Sequence, residues 1–526
     1  MQTARGISAS PDIIEKILIL AMTKRQKILL AVIIGLAFLY RLLYLDYPLI
    51  NTEPQRDYLI AQHILTYQDF PEAGPCCLFN GSYAPYRHPA IYYYLLSGIL
   101  AINQNFMFLT FINLLLQLIP IITIFIWASR LFSYKTGLLA IIFFSFNQEI
   151  FKNALFVWQP HLKQPFLYGS FLALFLFYRT NKYWFLVIST LLFFIGAAIH
   201  LSAMIMASFW LIALFFILYS QKRSVKIYLI TFLLVCGSLL ALFKGVNLEV
   251  SKNPLLLMHT SIIDYGQSLF ANVRVYLSSL YGNGIEISIV GLFLLGLSCL
   301  FFIAYLCQKE RGAARICLLI LTTIIVVLIA GVSLFKATIW HYYLEPLFGI
   351  TMILFAKIVT SQKYHFFKIL TMLFIILFIT QFLMYYPPQI RFFSNARNID
   401  KAASILTQQI KDTKLKKGYL KPNFFLIQVY TQGVETPTVE DLVFWLPLEQ
   451  KLQQKFIAVD DTTKSFKRMN SSDYIYIICQ SFAAKINISN DCLKPFTREF
   501  PGYKIGRAIY DKQPFTIYES AQSVLK

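Results

Sequence analysis

Between Ile28 and Met384 the chain alternates long apolar runs with short polar connections. A run of about 18 apolar residues is long enough, as an α-helix, to cross the roughly 30 Å hydrocarbon core of a bilayer. Window length places about eleven such spans, at 28–45, 106–128, 136–148, 165–178, 183–199, 202–219, 226–243, 285–306, 316–335, 342–359 and 367–384. The runs lack the strand-length alternation of a transmembrane barrel. The pattern therefore predicts an α-helical polytopic membrane protein. After Pro387 and Pro388 it changes. Ile399 to Ile410 has the spacing of an amphipathic helix, while Phe424 to Val429 and Tyr474 to Cys479 are short runs rich in aromatic and β-branched residues, as in strands. A small C-terminal α/β domain is expected over 386–526.

Lysine and arginine favour cytoplasmic loops, and here they fall on alternate connections. Lys24, Arg25 and Lys27 precede the first span, Arg130 and Lys135 separate the second from the third, and Arg179 and Lys182 follow the fourth. Lys222, Arg223 and Lys226 follow the sixth, Lys309, Arg311 and Arg315 the eighth, and Lys363 and Lys368 the tenth. The opposite connections, including the long ones at 46–105 and 244–284, are expected outside the cytoplasm, as is everything after the last span. The predicted organisation is a cytoplasmic N-terminus at 1–27, a transmembrane domain at 28–385 that includes the first outer loop at 46–105, and an extracytoplasmic domain at 386–526. This would be a multi-pass protein of the plasma or inner membrane. No small-residue cleavage site follows the first span, which is expected to remain as an anchor. Met22, ahead of Thr23, Lys24 and Arg25, also resembles a start site.

Composition agrees with this class. Of 526 residues 57% are hydrophobic and 14% charged, with 48 Phe and 32 Tyr, which is outside the range of ordinary soluble domains. The formal net charge of +21 sits mainly in short loops and the tail, where it suits membrane insertion and contact with anionic lipid headgroups. No nucleic-acid recognition module accompanies it, so nucleic acid is not an expected partner. Cys236, Cys299, Cys307 and Cys317 lie in or beside apolar spans as packing residues. Cys76 and Cys77 are adjacent, Cys479 and Cys492 share the tail, which leaves a bridge there open, and no Cys spacing suits a metal.

Polar chemistry is concentrated on the outer side. His63, His88, His161, His200, His259 and His341 fall in outer loops or at outer span ends, and His365 alone lies inside. In the first outer loop Glu53, Pro54, Gln55, Arg56 and Asp57 open a stretch whose Leu59, Ile60, Ile64 and Leu65 have helical spacing. Asp57 at a helix start is favoured by the N-terminal dipole, and its bland reading is a helix charge paired with Arg56. Tyr86, Arg87, His88 and Pro89 then lead into Ile91, Tyr92, Tyr93, Tyr94 and Leu95, read as a second surface helix with Pro in its first turn. Two cationic groups at a helix start make an anion site, the bland alternative being an interfacial Arg that reaches the headgroups.

Arg56-Asp57 opening an amphipathic helix after the first span and His88-Pro89 before Tyr92-Tyr93-Tyr94 resemble the GT-C membrane glycosyltransferases. The branch is that of family 39, related to protein O-mannosyltransferases and lipid A aminoarabinose transferases. Trp158-Gln159-Pro160, Ile199-His200-Leu201-Ser202 and His341-Tyr342-Tyr343 with Pro346 extend the resemblance, which covers most of residues 28–360. It implies an integral-membrane enzyme that takes a sugar, hexosyl or pentosyl, from a polyprenyl-phosphate donor to a hydroxyl of a lipid, glycan or protein acceptor. It further implies that an acidic residue of the first outer loop acts at the acceptor, which Asp57 matches, and that a basic residue before the Pro of the second surface helix contacts donor phosphate, which His88 matches. Many relatives carry an Asp-Glu pair where this chain has Arg56-Asp57, and the aminoarabinose branch has an acidic residue where Arg87 stands. Both departures weigh against a bound divalent metal, and Glu53 remains a rival base.

The chemistry fits the residues on its own terms. Displacing a phosphate from C1 of a sugar needs a base for the incoming hydroxyl, here Asp57 or Glu53, and cations for the leaving group, here Arg87, His88 and Arg56. Direct displacement inverts the anomeric centre. Tyr92, Trp158 and Tyr342 are candidates to stack on sugar, and His161, Lys163, His200 and His341 complete the expected substrate site. A polymerase or ligase of surface polysaccharide and a transporter of lipid-linked glycans are the competing readings. Transporters place ionisable groups near the bilayer midplane, and the span centres here are almost free of charge.

Overall fold

The computed structural model describes residues 22–45, 52–68, 70–71, 73–79, 82–220, 261–281, 289–307, 313–334, 341–362, 365–390, 401, 404–409 and 411–412. It also describes four strands in the tail, at 424–430, 474–480, 504–512 and 515–521. The chain divides into two compact units: residues 1–43 with 61–385, and residues 44–60 with 386–526.

Helices occupy most of the expected spans. Lys24–Leu42 starts at a capping box, in which the Thr23 hydroxyl accepts from the Gln26 N–H and the Gln26 side chain accepts from the Thr23 N–H. The second span is two helices, Phe106–Leu116 and Leu118–Leu131, joined at Gln117. Pro120 explains the break, since it has no N–H to return to the Leu116 carbonyl. Tyr134–Ser145, Gln159–Thr180, Tyr183–Ile199, Ala207–Ser220, Ile289–Cys307, Ala313–Val332, Phe348–Thr360 and His365–Ile390 follow. The span expected at 226–243 lies outside the described residues. Among the described residues three stretches are both long and apolar enough to cross a membrane: Phe106–Leu131, Tyr342–Thr360 and His365–Leu383.

Two kinds of helix surface result. Ile28, Leu29, Val32, Leu36 and Leu39 on the first helix, and Phe366, Ile369, Met372 and Ile376 on the last, are exposed large apolar side chains. A lipid-facing helix carries such a surface, and a water-facing one rarely does. Inward faces pack rings and small residues: Phe143 lies 5.2 Å from Phe355 and 5.5 Å from both Phe374 and Phe378, beside fully buried Ala140 and Ala356. Ser170 and Ser189 exchange hydrogen bonds with each other's backbone carbonyls at 2.7 and 2.8 Å, and the Trp210 indole donates to Ser189 Oγ at 3.0 Å. Small hydroxyl residues let these helix backbones approach closely in an apolar setting.

The sequence reading misses an antiparallel hairpin before the Ile91–Ile102 helix. Ala73–Phe79 pairs with Ser82–Pro89, with Ala73 opposite Pro89 and Cys76 opposite Arg87. Pro89 thus closes a strand and does not sit in a helical first turn; the helix begins after Ala90. Tyr83 and Tyr86 suit a strand, and Pro89 stands at its end, where a missing N–H is tolerated. In the second unit the strands run in the order Phe424–Tyr430, Tyr474–Gln480, Phe515–Ala521, Lys504–Lys512. The first pair is parallel and in continuous register from Phe424 opposite Tyr474 to Tyr430 opposite Gln480, and the other pairs are antiparallel. The first two strands lie where the sequence pattern predicts them.

Candidate active site

A buried polar centre lies in the first unit, where the Gln148–Leu155 helix, the start of the Gln159–Thr180 helix and the Glu345–Leu347 turn converge. Glu345 is fully buried. Its carboxylate accepts from Asn153 Nδ2 at 2.7 Å and Gln164 Nε2 at 3.3 Å, and pairs with His161 Nδ1 at 3.0 Å. A buried carboxylate is tolerated only when partners replace its lost hydration, and these three groups come from two helices. His161 and Gln164 are three residues apart and so share one face of the Gln159 helix.

Further bonds hold the same turn. Tyr168, on that face four residues beyond Gln164, donates its hydroxyl to the Pro346 carbonyl at 3.1 Å and accepts from the Gly349 N–H at 3.0 Å. Gly349 lies in the first turn of the Phe348–Thr360 helix, whose N–H groups have no intrahelical acceptor, so the phenol caps it from outside. Gly349 also permits the approach, because a Cβ there would lie 2.3 Å from the Tyr168 hydroxyl oxygen. Inside the Gln159 helix Pro165 cannot donate to the His161 carbonyl. Gln117 Nε2 supplies a donor to that carbonyl at 3.4 Å. Asn147 caps the Gln148 helix at Glu149 and Ile150, and Asn113 closes its far end by donating to the carbonyls of Asn153 and Ala154.

Against this centre sits an aromatic group in which the Trp158, Tyr342 and Tyr343 rings are partly buried and His200 is buried. The Trp158 ring lies edge-to-face against Tyr342 at 4.9 Å and against His161 at 5.4 Å. His200 meets Tyr342 at 5.8 Å and Tyr343 at 5.6 Å. His200 Nδ1 accepts from the Ser202 N–H at 3.2 Å, which leaves the proton of a neutral ring on Nε2. Lys163 is fully buried and donates to the Tyr342 carbonyl at 2.9 Å. It precedes the span expected from 165; burial pulls its ammonium down to about 8, and the nearby Glu345 carboxylate opposes that shift.

Of the residues singled out by sequence, Trp158, His161, Lys163, His200 and Tyr342 are thus brought together from segments as far apart as 158 and 342. His161 and Lys163 lie beneath the rings at 1% and 0% exposure. His341 begins the short His341–Leu344 helix. Tyr92 is buried and lies 5.7 Å from Tyr93. Glu53, Arg56 and Asp57 fall in the Thr52–Tyr67 helix, and Asp57 is buried. Asp57 is the sixth residue of that helix, one turn beyond the expected start, so the N-terminal dipole, which fades within the first turn, gives it little support. Arg87 and His88 end the second hairpin strand, just ahead of the Ile91–Ile102 helix. Among the described residues no three His, Cys, Asp or Glu side chains converge as a metal site would require. Glu345 was missed by sequence reasoning, although an acidic residue before Pro346 in an otherwise apolar run was a visible signal.

No protein-family model matches the chain, and no curated protein matches it in sequence. Solved structures do. ArnT from Cupriavidus metallidurans in the apo state aligns with a TM-score of 0.53 at 11% identity, covering 93% of this chain and 97% of that one. The same protein bound to undecaprenyl phosphate aligns with a TM-score of 0.50 at 9% identity and the same coverage. An oligosaccharyltransferase from Archaeoglobus fulgidus in the apo form reaches a TM-score of 0.47 at 13% identity over 86% of this chain and 69% of that one, too distant to weigh. ArnT is a GT-C superfamily membrane glycosyltransferase, and this chain has the GT-C fold.

Proposed function

We propose that the chain is an integral-membrane glycosyltransferase that moves a sugar from a polyprenyl-phosphate donor to an acceptor hydroxyl on the extracytoplasmic face, with inversion at the anomeric carbon. The observation that carries this reading is the fold match to ArnT over nearly the full length of both chains, together with that protein's capture of undecaprenyl phosphate. The polar centre beneath Trp158 and Tyr342 supports it, because half-buried rings over buried donors suit a polyhydroxylated ligand.

In the proposed reaction Asp57 takes the proton of the acceptor hydroxyl as its oxygen bonds to C1 of the sugar. The bond from C1 to the phosphate oxygen breaks, and its electron pair leaves with polyprenyl phosphate. Arg87 and His88, with Arg56, receive the developing phosphate charge. Glu53 is the rival base. Trp158 and Tyr342, with His341, form the sugar-facing group, and the burial of His161, Lys163, His200 and Tyr92 favours support of that group from the protein side. The active site and the tail from Pro387 lie outside the cytoplasm in this reading, and the acceptor is a lipid, glycan or protein.

Incubating the purified protein with a panel of polyprenyl-phosphate sugars, followed by mass spectrometry for released polyprenyl phosphate, tests the proposal. Release with one member of the panel, dependent on an added acceptor, is the expected result. Intact donors across the panel with every acceptor class would overturn it.

A further inference from the structure

Glu345 has no assigned role in the reaction proposed above, yet it is a fully buried carboxylate held by three side chains. Asn153 Nδ2 and Gln164 Nε2 donate to it, and His161 Nδ1 pairs with it at 3.0 Å. A carboxylate is the side chain that only accepts, so the site is built for the ionised form. One of these partners, and a second side chain on the same helix, lead to the aromatic group. His161 carries Trp158 against its ring at 5.4 Å. Lys163, two residues beyond His161 on the same helix, holds the Tyr342 carbonyl at 2.9 Å. Trp158 and Tyr342 then meet edge-to-face at 4.9 Å.

We infer that Glu345 is a positioning residue: its buried carboxylate sets the relative placement of the Trp158 and Tyr342 rings and thereby the affinity of the site for the sugar of the donor. This rests on reading those rings as the sugar platform. Glu345 touches no substrate itself. The two rings come from segments more than 180 residues apart, and the Glu345 centre links both segments through side chains whose placement is over-determined.

The test is Glu345→Gln, which keeps shape and volume while removing the charge. Asn153 Oδ1 and Gln164 Oε1 are buried without partners, so amide flips let the new carboxamide find acceptors and the variant fold. Affinity is measured for a polyprenyl-phosphate sugar and for bare polyprenyl phosphate, alongside the Trp158 emission obtained by subtracting the spectrum of Trp158→Phe in each background. The expected result is an affinity for the sugar-bearing donor lower by about tenfold or more, unchanged affinity for bare polyprenyl phosphate, and a shifted Trp158 emission. Glu345→Asp, which keeps the charge but shortens the reach, should recover part of the sugar-dependent affinity. Unchanged affinities with an unchanged emission would overturn the inference, as would an equal fall for both ligands, which marks general structural damage. If the parent protein binds neither ligand, the proposed function fails separately. The Trp158 emission then decides alone: a shift in Glu345→Gln upholds the positioning role, and its absence ends it.

Discussion

Replacing Gly349 by alanine should loosen the turn that carries Glu345 and Tyr342. The added Cβ would lie 2.3 Å from the Tyr168 hydroxyl oxygen, 2.9 Å from its Cε1 and 2.8 Å from Ile124 Cδ1, where ordinary contact begins at 3.4 Å. The phenol must retreat by about 1 Å, which takes its 3.0 Å and 3.1 Å bonds to Gly349 and Pro346 beyond hydrogen-bonding range. A buried N–H and a buried carbonyl are then left without partners, at roughly 1–3 kcal/mol each. Overpacking adds about 1–3 kcal/mol, and alanine's helix preference returns at most about 1 kcal/mol. The net loss is about 2–8 kcal/mol, whereas Tyr168→Phe, which loses the bonds without the clash, should lose roughly 2–6 kcal/mol. In the Tyr168→Phe background the shortest contact disappears and the two effects overlap, so the pair should couple by at least about 1 kcal/mol. A double-mutant cycle on the purified protein in mild detergent, unfolded by titration with a denaturing detergent and followed by tryptophan emission, measures this. Parent-like stability of Gly349→Ala, or losses that add within about 0.5 kcal/mol, would refute the capping role of Tyr168.

Three further outcomes are expected. Asp57→Asn should insert and bind donor normally yet transfer sugar about 10² to 10⁴ times more slowly, with Glu53→Gln milder; near-parent turnover in Asp57→Asn removes it as the base, and a near-dead Glu53→Gln moves the role there. Arg87→Ala and His88→Ala should weaken binding of polyprenyl phosphate itself, sugar or not, as measured by ligand-dependent thermal shift; unchanged binding in both removes the phosphate role. Single cysteines placed after Pro387 should react with a membrane-impermeant maleimide in intact cells, and labelling only after permeabilisation would invert the proposed topology.

Much of the architecture was legible in local pattern, because a helix in lipid must be continuously apolar and the bilayer sets its length. The helix at 365–390 follows from that alone, the shorter helices at 134–145 and 183–199 from their apolar composition, and the strands at 424–430 and 474–480 from their aromatic and β-branched runs. The hairpin at 73–89 escaped the same reading. Gly74, Pro75, Pro85 and Pro89 interrupt its pattern, and only pairing across the turn makes strands of it.

The candidate site divides along similar lines. Trp158, His161, Lys163, His200 and Tyr342 were recognisable by type, since polar and aromatic groups at the ends of apolar spans need a reason to be there. Which of them meet was decided by tertiary structure. Nothing local ties residue 345 to residues 153, 161 and 164; the link exists because helices packed in an apolar setting bring a carboxylate to three donors, where an unpaired one would be too costly to bury. The Gly349 approach to Tyr168 and the Gln117 bond to the carbonyl freed by Pro165 are of the same kind. Local pattern alone marked which segments are long and apolar and which residue types wait at their ends. The packing of those segments decided which residues became partners, because hydrogen bonds and ring contacts depend on ångström distances that no periodicity along the chain encodes.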